Sequence, residues 1–137
     1  MGIDVYMVWN KMTEAEQEQQ YTFSVASGSV GYLREAYHGG PYATRVLVPE
    51  GFEPEKYPGI AAPHPIYGDV CQCARIPARS LFERVPAAEE AMRARHRTVY
   101  KQVLADDAPE VKSLHDFADL YARLESEGKE PRVYVSW

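Results

Sequence analysis

Residues 2–10, GIDVYMVWN, carry the clearest structural pattern in this chain. Apolar side chains recur at every second position, which is the period of a β-strand. Tyr6 and Val8 make the second face of this strand partly apolar too, so we expect the strand to lie inside a sheet and not at its edge. The first face would carry Ile3, Val5, Met7 and Trp9.

The last six residues, RVYVSW at 132–137, show the same alternation. Val133 and Val135 would share one face of this second strand, with Tyr134 and Ser136 on the other face. Because these two terminal stretches have the strongest strand patterns in the chain, we predict that they pair as neighbours in one sheet.

The sequence between the two ends predicts helices and shorter strands. Thr13 and Glu16 have the spacing of a capping box, which indicates a short surface helix. Pro86 suits the first position of a long helix that ends near residue 104. A second long helix would begin near Ser113 and end at Gly128. The other predicted elements are a two-turn helix at 30–38 and strands at 21–25, 42–48 and 70–76.

The order of these elements predicts an α+β fold. We expect a single mixed or mostly antiparallel sheet that contains the N- and C-terminal strands, with the two longer helices packed on one face. The length of 137 residues favours one domain spanning residues 1–137. Residues 49–69 hold five prolines and would form an irregular excursion from that domain.

Composition narrows the classes of function. The net charge is −5, and general binding of nucleic acid requires neutralisation of phosphates, so we expect no such activity. No apolar run reaches the length of a membrane span, and we expect no membrane association. Cys71 and Cys73 are separated by one residue, which fits a reducing cytoplasm better than a disulfide. The oligomeric state stays open, with a homo-oligomer as one option.

The candidate binding residues lie within residues 27–45. A serine-glycine loop that opens a helix could cradle an anion, because backbone N–H groups at a helix start have no partner within the helix. Arginine, tyrosine and histidine side chains nearby are suited to a phosphate, a carboxylate or a nucleotide. The residues expected to bind such a ligand are Ser27, Gly28, Ser29, Arg34, Tyr37, His38, Tyr42 and Arg45.

Each of these residues has an expected role. The loop 27–29 would hold the anion, and Arg34 and Arg45 would neutralise its charge. Tyr37 or Tyr42 would stack on a base or a sugar. The alternative interpretation of the same segment is a turn followed by an ordinary capped helix, since no established phosphate-binding signature surrounds it.

Two other groups of residues could support chemistry. His64, Cys71 and Cys73 could provide three zinc ligands, but their spacing departs from the usual pattern and a fourth ligand is not evident. Glu35 and His38, together with His64, could form an acid–base set with Ser29 or a cysteine as nucleophile. No catalytic signature orients them, so we expect no catalytic residues, no metal and no cofactor.

A third group, Glu89, Arg93, Arg97 and Lys101, steps by four residues along one predicted helix face. The favoured interpretation is a solvated face that is stabilised by acid-to-base pairs one turn apart, and the alternative is a basic binding stripe. Residues 70–105 carry a charge of +4 and residues 106–137 a charge of −4. A basic patch on an acidic body could receive an anionic ligand or an acidic protein face.

The segments MGIDVYMVW and GYLREAYHGGPYATRVLVPE resemble small uncharacterised bacterial and phage proteins that have a similar start and a similar core. The resemblance covers about a quarter of the chain and implies an accessory or mobile-element protein without a defined activity. We therefore expect a non-enzymatic protein that binds a small anionic ligand, phosphate-bearing or a nucleotide, and that could sequester a signalling nucleotide. The alternatives are a protein-interaction or inhibitor module that docks on a host protein, and a small hydrolase or transferase that uses His38 and Glu35.

Overall fold

A five-stranded antiparallel sheet and three α-helices make up the described part of the protein. The computed structural model describes residues 2–21, 28–36, 61–64, 68–74 and 76–136. The strands are β1 (Gly2–Val8), β2 (Tyr32–Ala36), β3 (Ala61–His64), β4 (Gly68–Ala74) and β5 (Arg132–Ser136). Their order in the sheet is β2-β1-β5-β4-β3, and every pairing among them is antiparallel.

A short helix follows the first strand, and the two longer helices lie together in the chain between the fourth and fifth strands. Helices grouped in this way with an antiparallel sheet give the α+β fold that the sequence predicts. A single 3₁₀ turn, Gly28–Val30, precedes β2. Thr13 and Glu16 form the predicted capping box at the start of the first helix, with each side chain bonded to the other residue's backbone N–H. The α-helices are α1 (Glu14–Tyr21), α2 (Ala78–Val99) and α3 (Pro109–Ser126).

The two ends of the chain meet at the centre of the sheet, as predicted. Val5 is paired with Val135, and Met7 with Val133, so the alternation of one terminal strand matches that of the other. β2 adds to the far side of β1 and places Leu33 beside Val5. Each terminal strand is therefore hydrogen-bonded on both sides.

The hydrophobic core lies between one face of this sheet and the helices α2 and α3. Alternate residues of β1 reach the core, and every third or fourth residue of each helix meets them, as the two periodicities require. The cluster includes Val5, Met7, Trp9, Leu33 and Val133 from the strands and their ends, Leu81, Val85 and Ala88 from α2, and Leu114, Phe117, Tyr121 and Leu124 from α3.

The opposite face of β1 is buried as well. Tyr6 and Val8 are almost inaccessible, although neither belongs to the core cluster between the sheet and the helices. The ring of Tyr6 contacts the ring of Tyr32 on β2, with centroids 5.3 Å apart. A strand buried on both faces and paired on both edges is an interior strand, which confirms the prediction made from its partly apolar second face.

The predicted helix at 30–38 is wrong. Gly31 has a φ of +83°, and the chain turns there into strand β2, which pairs with β1. A helix of two turns is only marginally stable by itself, whereas β1 offers a complete row of backbone hydrogen bonds. Arg34 and His38 therefore do not share a helix face. The predicted strand at 42–48 and residues 22–25 of the strand at 21–25 lie outside the described residues, and Tyr21 ends α1.

The boundaries of the other elements also differ from the prediction. Strand β3 lies within the expected irregular stretch 49–69, where Pro63 is tolerated because β3 pairs on one side with β4. The predicted strand at 70–76 is shifted and forms β4. Helix α3 begins at Pro109, so Ser113 is not its cap. Gly128 (φ +73°) follows the helix as predicted, where Lys129 N–H donates to the carbonyl of Leu124.

Pro86 lies inside α2 and does not begin it. A proline within a helix removes a backbone hydrogen bond, at a cost of about 3 kcal/mol. Leu81 and Val85 are both buried in the core ahead of Pro86, so packing holds the first two turns in helical form. The carboxylate of Glu125 on α3 also accepts the N–H of Ala78 at 2.8 Å and thereby caps the first turn of α2 from a neighbouring helix.

Tyr121 of α3 ties the helical layer to the chain beside the sheet. Its buried hydroxyl accepts the N–H of Ile76 at 2.9 Å. Its single proton faces the carbonyl oxygens of Ile76 at 2.5 Å and Pro131 at 2.9 Å. Ile76 lies between β4 and α2, and Pro131 directly precedes β5, so one side chain satisfies backbone groups of two connecting segments.

We expect Tyr121→Phe to lower the free energy of unfolding by about 1–3 kcal/mol, because it leaves a buried N–H and two buried carbonyls without this partner. Tyr100→Phe, at a partly exposed position, is the matched control and should change stability by less than about 0.5 kcal/mol. Urea unfolding of both variants and the wild type measures the difference. Equal stability of all three proteins would contradict the role of the Tyr121 hydroxyl.

Candidate functional site

A cleft of about 350 Å³ opens between α1, the 3₁₀ turn and the end of α3. We call it the α1–α3 cleft. Trp9 and Val30 contribute apolar surface on one side, and Leu120 and Leu124 contribute it on the other. The polar lining comes from Glu16, Gln19, Ser29, Arg123, Glu127 and Lys129. Most of the lining residues are polar, and Trp9, Leu120 and Leu124 are themselves almost fully buried, so the accessible lining favours a charged or hydrogen-bonding ligand.

Two cations and one carboxylate lie together at the α3 end of the cleft. Glu127 Oε1 is 4.0 Å from Arg123 Nε, and Glu127 Oε2 is 3.3 Å from Lys129 Nζ. Arg123 and Glu127 are one turn apart at the end of α3, and Lys129 follows the glycine that ends the helix. The two cations share this carboxylate in an exposed arrangement, so each pair is weak and open to competition by another anion.

The chain beside the α1–α3 cleft contains unusual backbone conformations. Lys11 has a φ of 61° and Glu130 a φ of 48°, values that residues other than glycine rarely adopt. Asn10 joins the two segments, because its N–H donates to the carbonyl of Lys129 and its side-chain amide donates to Glu130, both at 2.9 Å. Strained residues of this kind are concentrated at functional sites. Glu130 directly follows the lining residue Lys129, and Lys11 lies two residues after the lining residue Trp9.

Gly28, which the sequence predicts to help bind an anion, packs against the backbone of α3. Its N–H donates to Ser113 Oγ at 2.8 Å, so this amide is occupied by a side chain of α3. A Cβ atom at position 28 would lie 1.8 Å from the backbone oxygen of Ser113. The 3₁₀ turn thus approaches α3 so closely that only glycine fits.

Gln20 holds the other side of the same turn. Its side chain is only 2% exposed, and its amide donates to the carbonyls of Met7 at 2.7 Å and Val30 at 3.0 Å. The sequence predicts a polar surface helix over residues 13–20 and gives no indication that Gln20 is buried. Local sequence contains no signal for it, because its two partners lie in a strand and in a turn outside α1.

The remaining predicted ligand residues have different locations. Ser29 is exposed and lines the α1–α3 cleft. Arg34 lies in β2 with its backbone opposite Asp4 of β1. Ser27, Tyr37, His38, Tyr42 and Arg45 lie outside the described residues. Of the predicted ligand residues within the described part of the chain, Ser29 alone lines the α1–α3 cleft, beside Arg123 and Lys129, which the sequence does not mark as ligand residues.

The structure describes the backbone of some, but not all, of the predicted metal ligands and acid–base residues. His64 lies in β3, Glu35 in β2, and Cys71 and Cys73 in β4, where Cys73 is paired with Tyr134 of β5. Among the residues that the structure describes, no group of three or more acidic, histidine or cysteine side chains is arranged to hold a metal ion.

A second cluster of charged residues links α2 to α3. Glu89 Oε1 lies 2.7 Å from His115 Nε2, and Glu89 Oε2 accepts a hydrogen bond from Arg93 at 3.3 Å. Arg93 also donates to the carbonyl of Leu104 at 2.8 Å and to Asp106 at 3.2 Å. These side chains border a shallow cleft of about 430 Å³ with Asp107, Val111 and Lys112.

This cluster supports the favoured interpretation of the residues spaced by four along α2. Arg93 is paired with Glu89 one turn before it, and Arg97 is paired with Glu90 at 3.0 Å. Lys101 lies beyond the last turn of the helix and has a φ of 55°. The stripe is therefore interrupted at Lys101, and its two central arginines neutralise neighbouring glutamates.

The hydrogen bond from His115 lowers the pKa of Glu89 below its ordinary value of 4.5, and the hydrogen bond from Arg93 acts in the same direction, while partial burial opposes both. The folded state therefore favours the ionised carboxylate. The resulting stabilisation is complete above pH 4.5 and is lost as the pH falls through the lower pKa of the folded state.

We expect Glu89→Gln to be less stable than the wild type at pH 7, with a difference that shrinks as the pH is lowered below 4.5. Thermal unfolding of both proteins between pH 7 and pH 3 measures this difference. Glu90→Gln, at a more exposed position of the same helix, is the matched control and should show a smaller effect at pH 7. A difference for Glu89→Gln that stays constant with pH would contradict the coupling.

We expect Gly28→Ala to destabilise the protein by about 1–3 kcal/mol or more, because the added methyl group collides with the backbone of α3. Ser29→Ala, at the exposed position next to it, should change stability by less than about 0.5 kcal/mol. Unfolding in urea measures both values. Equal stabilities would show that the turn can move away from α3 without loss.

The comparisons give no family assignment for this chain: no protein-family model, curated protein or solved structure matches it. Among the described residues, no helix has both the length and the apolar character needed to cross a bilayer.

Proposed function

We propose that this protein binds a small anionic ligand, phosphate-bearing or a nucleotide, in the α1–α3 cleft. The observation that carries the proposal is the pair of cations, Arg123 and Lys129, that share the carboxylate of Glu127 at one end of the cleft. A phosphate group can accept two parallel hydrogen bonds from a guanidinium and further ones from an ammonium group. It would therefore compete with Glu127 for both cations.

The composition of the cleft supports a ligand larger than a single ion. A volume of about 350 Å³ lies within the range of known small-molecule sites, about 300–1,000 Å³. The hydroxyl of Ser29 can donate to a phosphate oxygen or a sugar. Trp9, Leu120 and Leu124 are almost fully buried, so Val30 offers the more accessible apolar surface for the uncharged part of the ligand. Glu16 also lines the cleft, but its carboxylate accepts the N–H of Thr13 within the capping box of α1.

Binding without catalysis is the form of this proposal that the residues support best. As far as the described residues go, the lining side chains include two cations but no histidine or cysteine. Sequestration of a signalling nucleotide by a mobile-element protein would fit this chemistry and the resemblance to bacterial and phage proteins. The two cysteines at 71 and 73 favour a cytoplasmic location for this activity.

Removal of a cation and removal of the carboxylate in the cleft should change the affinity for phosphate-bearing ligands in opposite directions. Isothermal titration calorimetry with inorganic phosphate, AMP and ATP should detect binding to the wild type. Arg123→Ala should weaken that binding by about ten- to a hundredfold, since a charge-assisted hydrogen bond contributes about 1.5–3 kcal/mol. Glu127→Gln should strengthen it, because the internal competitor for Arg123 and Lys129 is removed.

Lys112→Ala provides the matched control. Lys112 is also on α3 and also pairs with a carboxylate, Asp116 at 2.8 Å, but it does not line the α1–α3 cleft. Its removal lowers the net charge equally and should leave the affinity unchanged. Absence of binding for all three probes, or equal losses for Arg123→Ala and Lys112→Ala, would refute the proposed site.

A further inference from the structure

The C-terminal end of α2 exposes apolar side chains that a folded protein usually covers. Val99 and Tyr100 are each 39% exposed, and Val103 is 85% exposed. They fall within five consecutive residues of the chain. Val99 continues the spacing of the buried residues Leu81, Val85 and Ala88, so the apolar stripe of α2 extends past the part that the core covers.

Val103 is exposed although the residues on both sides of it are hydrogen-bonded to α2. The N–H of Gln102, on one side of it, donates to the carbonyl of His96 at 3.0 Å. The carbonyl of Leu104, on the other side, accepts a hydrogen bond from Arg93 at 2.8 Å. Both neighbours are thus attached to α2, and the positive φ of Lys101 sets the direction of the chain between them.

The charge around these apolar side chains is opposite to that of the rest of the protein. Residues 91–105 contain four basic residues and no acidic one, whereas the chain as a whole carries −5. Arg93 is held by Glu89 and Asp106 and Arg95 is buried, so the accessible cations next to the apolar residues are Lys101 and Arg97. Arg97 is in an exposed pair with Glu90. Tyr100 packs on His96, with ring centroids 5.1 Å apart, and adds an amphipathic ring of the type enriched at protein interfaces.

We infer that Val99, Tyr100 and Val103, with Arg97 and Lys101 at their border, form a docking surface for an acidic polypeptide segment that carries apolar side chains. We call it the α2-end surface. The apolar side chains of the partner would cover Val99 and Val103, and its carboxylates would pair with Lys101 and compete with Glu90 for Arg97. These cations repel a basic partner, and the acidic remainder of this chain steers an acidic partner towards this one end.

The surface is separate from the α1–α3 cleft, because no lining residue of that cleft belongs to it. Docking at the α2-end surface therefore does not depend on ligand binding in the cleft. The apolar residues would be the main source of affinity for the partner, and the charged residues would be the source of selectivity.

The test is a selection of random twelve-residue peptides, displayed on phage, against the immobilised full-length protein. Selected peptides are then synthesised, and their affinities are measured by fluorescence anisotropy. We expect the selected sequences to combine Asp or Glu with Leu, Phe or Trp. Their affinity should fall about tenfold with Val103→Ser, because burial of one valine side chain is lost, and further with Val103→Asp, which also repels the partner.

Phe82→Ser is the matched control, since Phe82 is also an exposed apolar residue (42%) and lies near the other end of α2. It should leave the affinity within about twofold. Both Val103 variants should fold, because the side chain is in solvent, and their thermal unfolding verifies this. Selected peptides that lack acidic residues, or that bind Val103→Asp as tightly as the wild type, would overturn the inference. So would a concentration-dependent dimer that Val103→Asp dissociates, or binding to anionic vesicles in place of peptides.

Discussion

The antiparallel pairing of β1 with β5 is the interaction on which the rest of the described structure depends. It joins the two ends of the chain, so closure of the sheet requires residues more than a hundred positions apart to meet. β2 can pair only after β1 is in place, and β4 is joined to the rest of the sheet through β5. The register is set by the apolar alternation of both strands, since a slip of one residue would turn Val5, Met7 and Val133 away from the helices.

Helix α3 converts this sheet into a folded unit by supplying partners to segments that lack their own. Ser113 accepts the N–H of the 3₁₀ turn, Tyr121 bonds the chain before α2 and before β5, and Glu125 caps the start of α2. These polar contacts lie along a helix whose apolar residues fill the core. Buried backbone groups require partners, and here many of those partners come from one helix.

The same helix ends at the α1–α3 cleft, which connects the architecture to the proposed function. Arg123 and Glu127 lie on its last turn, and the glycine that follows directs Lys129 back towards them. The close contact between Gly28 and α3 places Ser29 on the opposite wall. Gly28 and Ser29, which the sequence predicts to bind an anion, are thus held beside the cleft by packing. Gly28 makes the contact with α3, and Ser29 faces the cleft.

The sequence by itself determined the fold class, the two terminal strands and their pairing, the capping box at Thr13, and the end of α3 at Gly128. All of these depend on patterns within a few residues, where side-chain period and turn chemistry act directly. Only the tertiary structure decided that residues 32–36 form a strand, that Pro86 lies within a helix, and that Gln20 is buried. Each of those outcomes depends on a partner far away in the chain: β1 beside β2, the core against Leu81 and Val85, and two carbonyls outside α1. The cleft could not be predicted for the same reason, since Ser29 and Arg123 are brought together by packing between the 3₁₀ turn and α3.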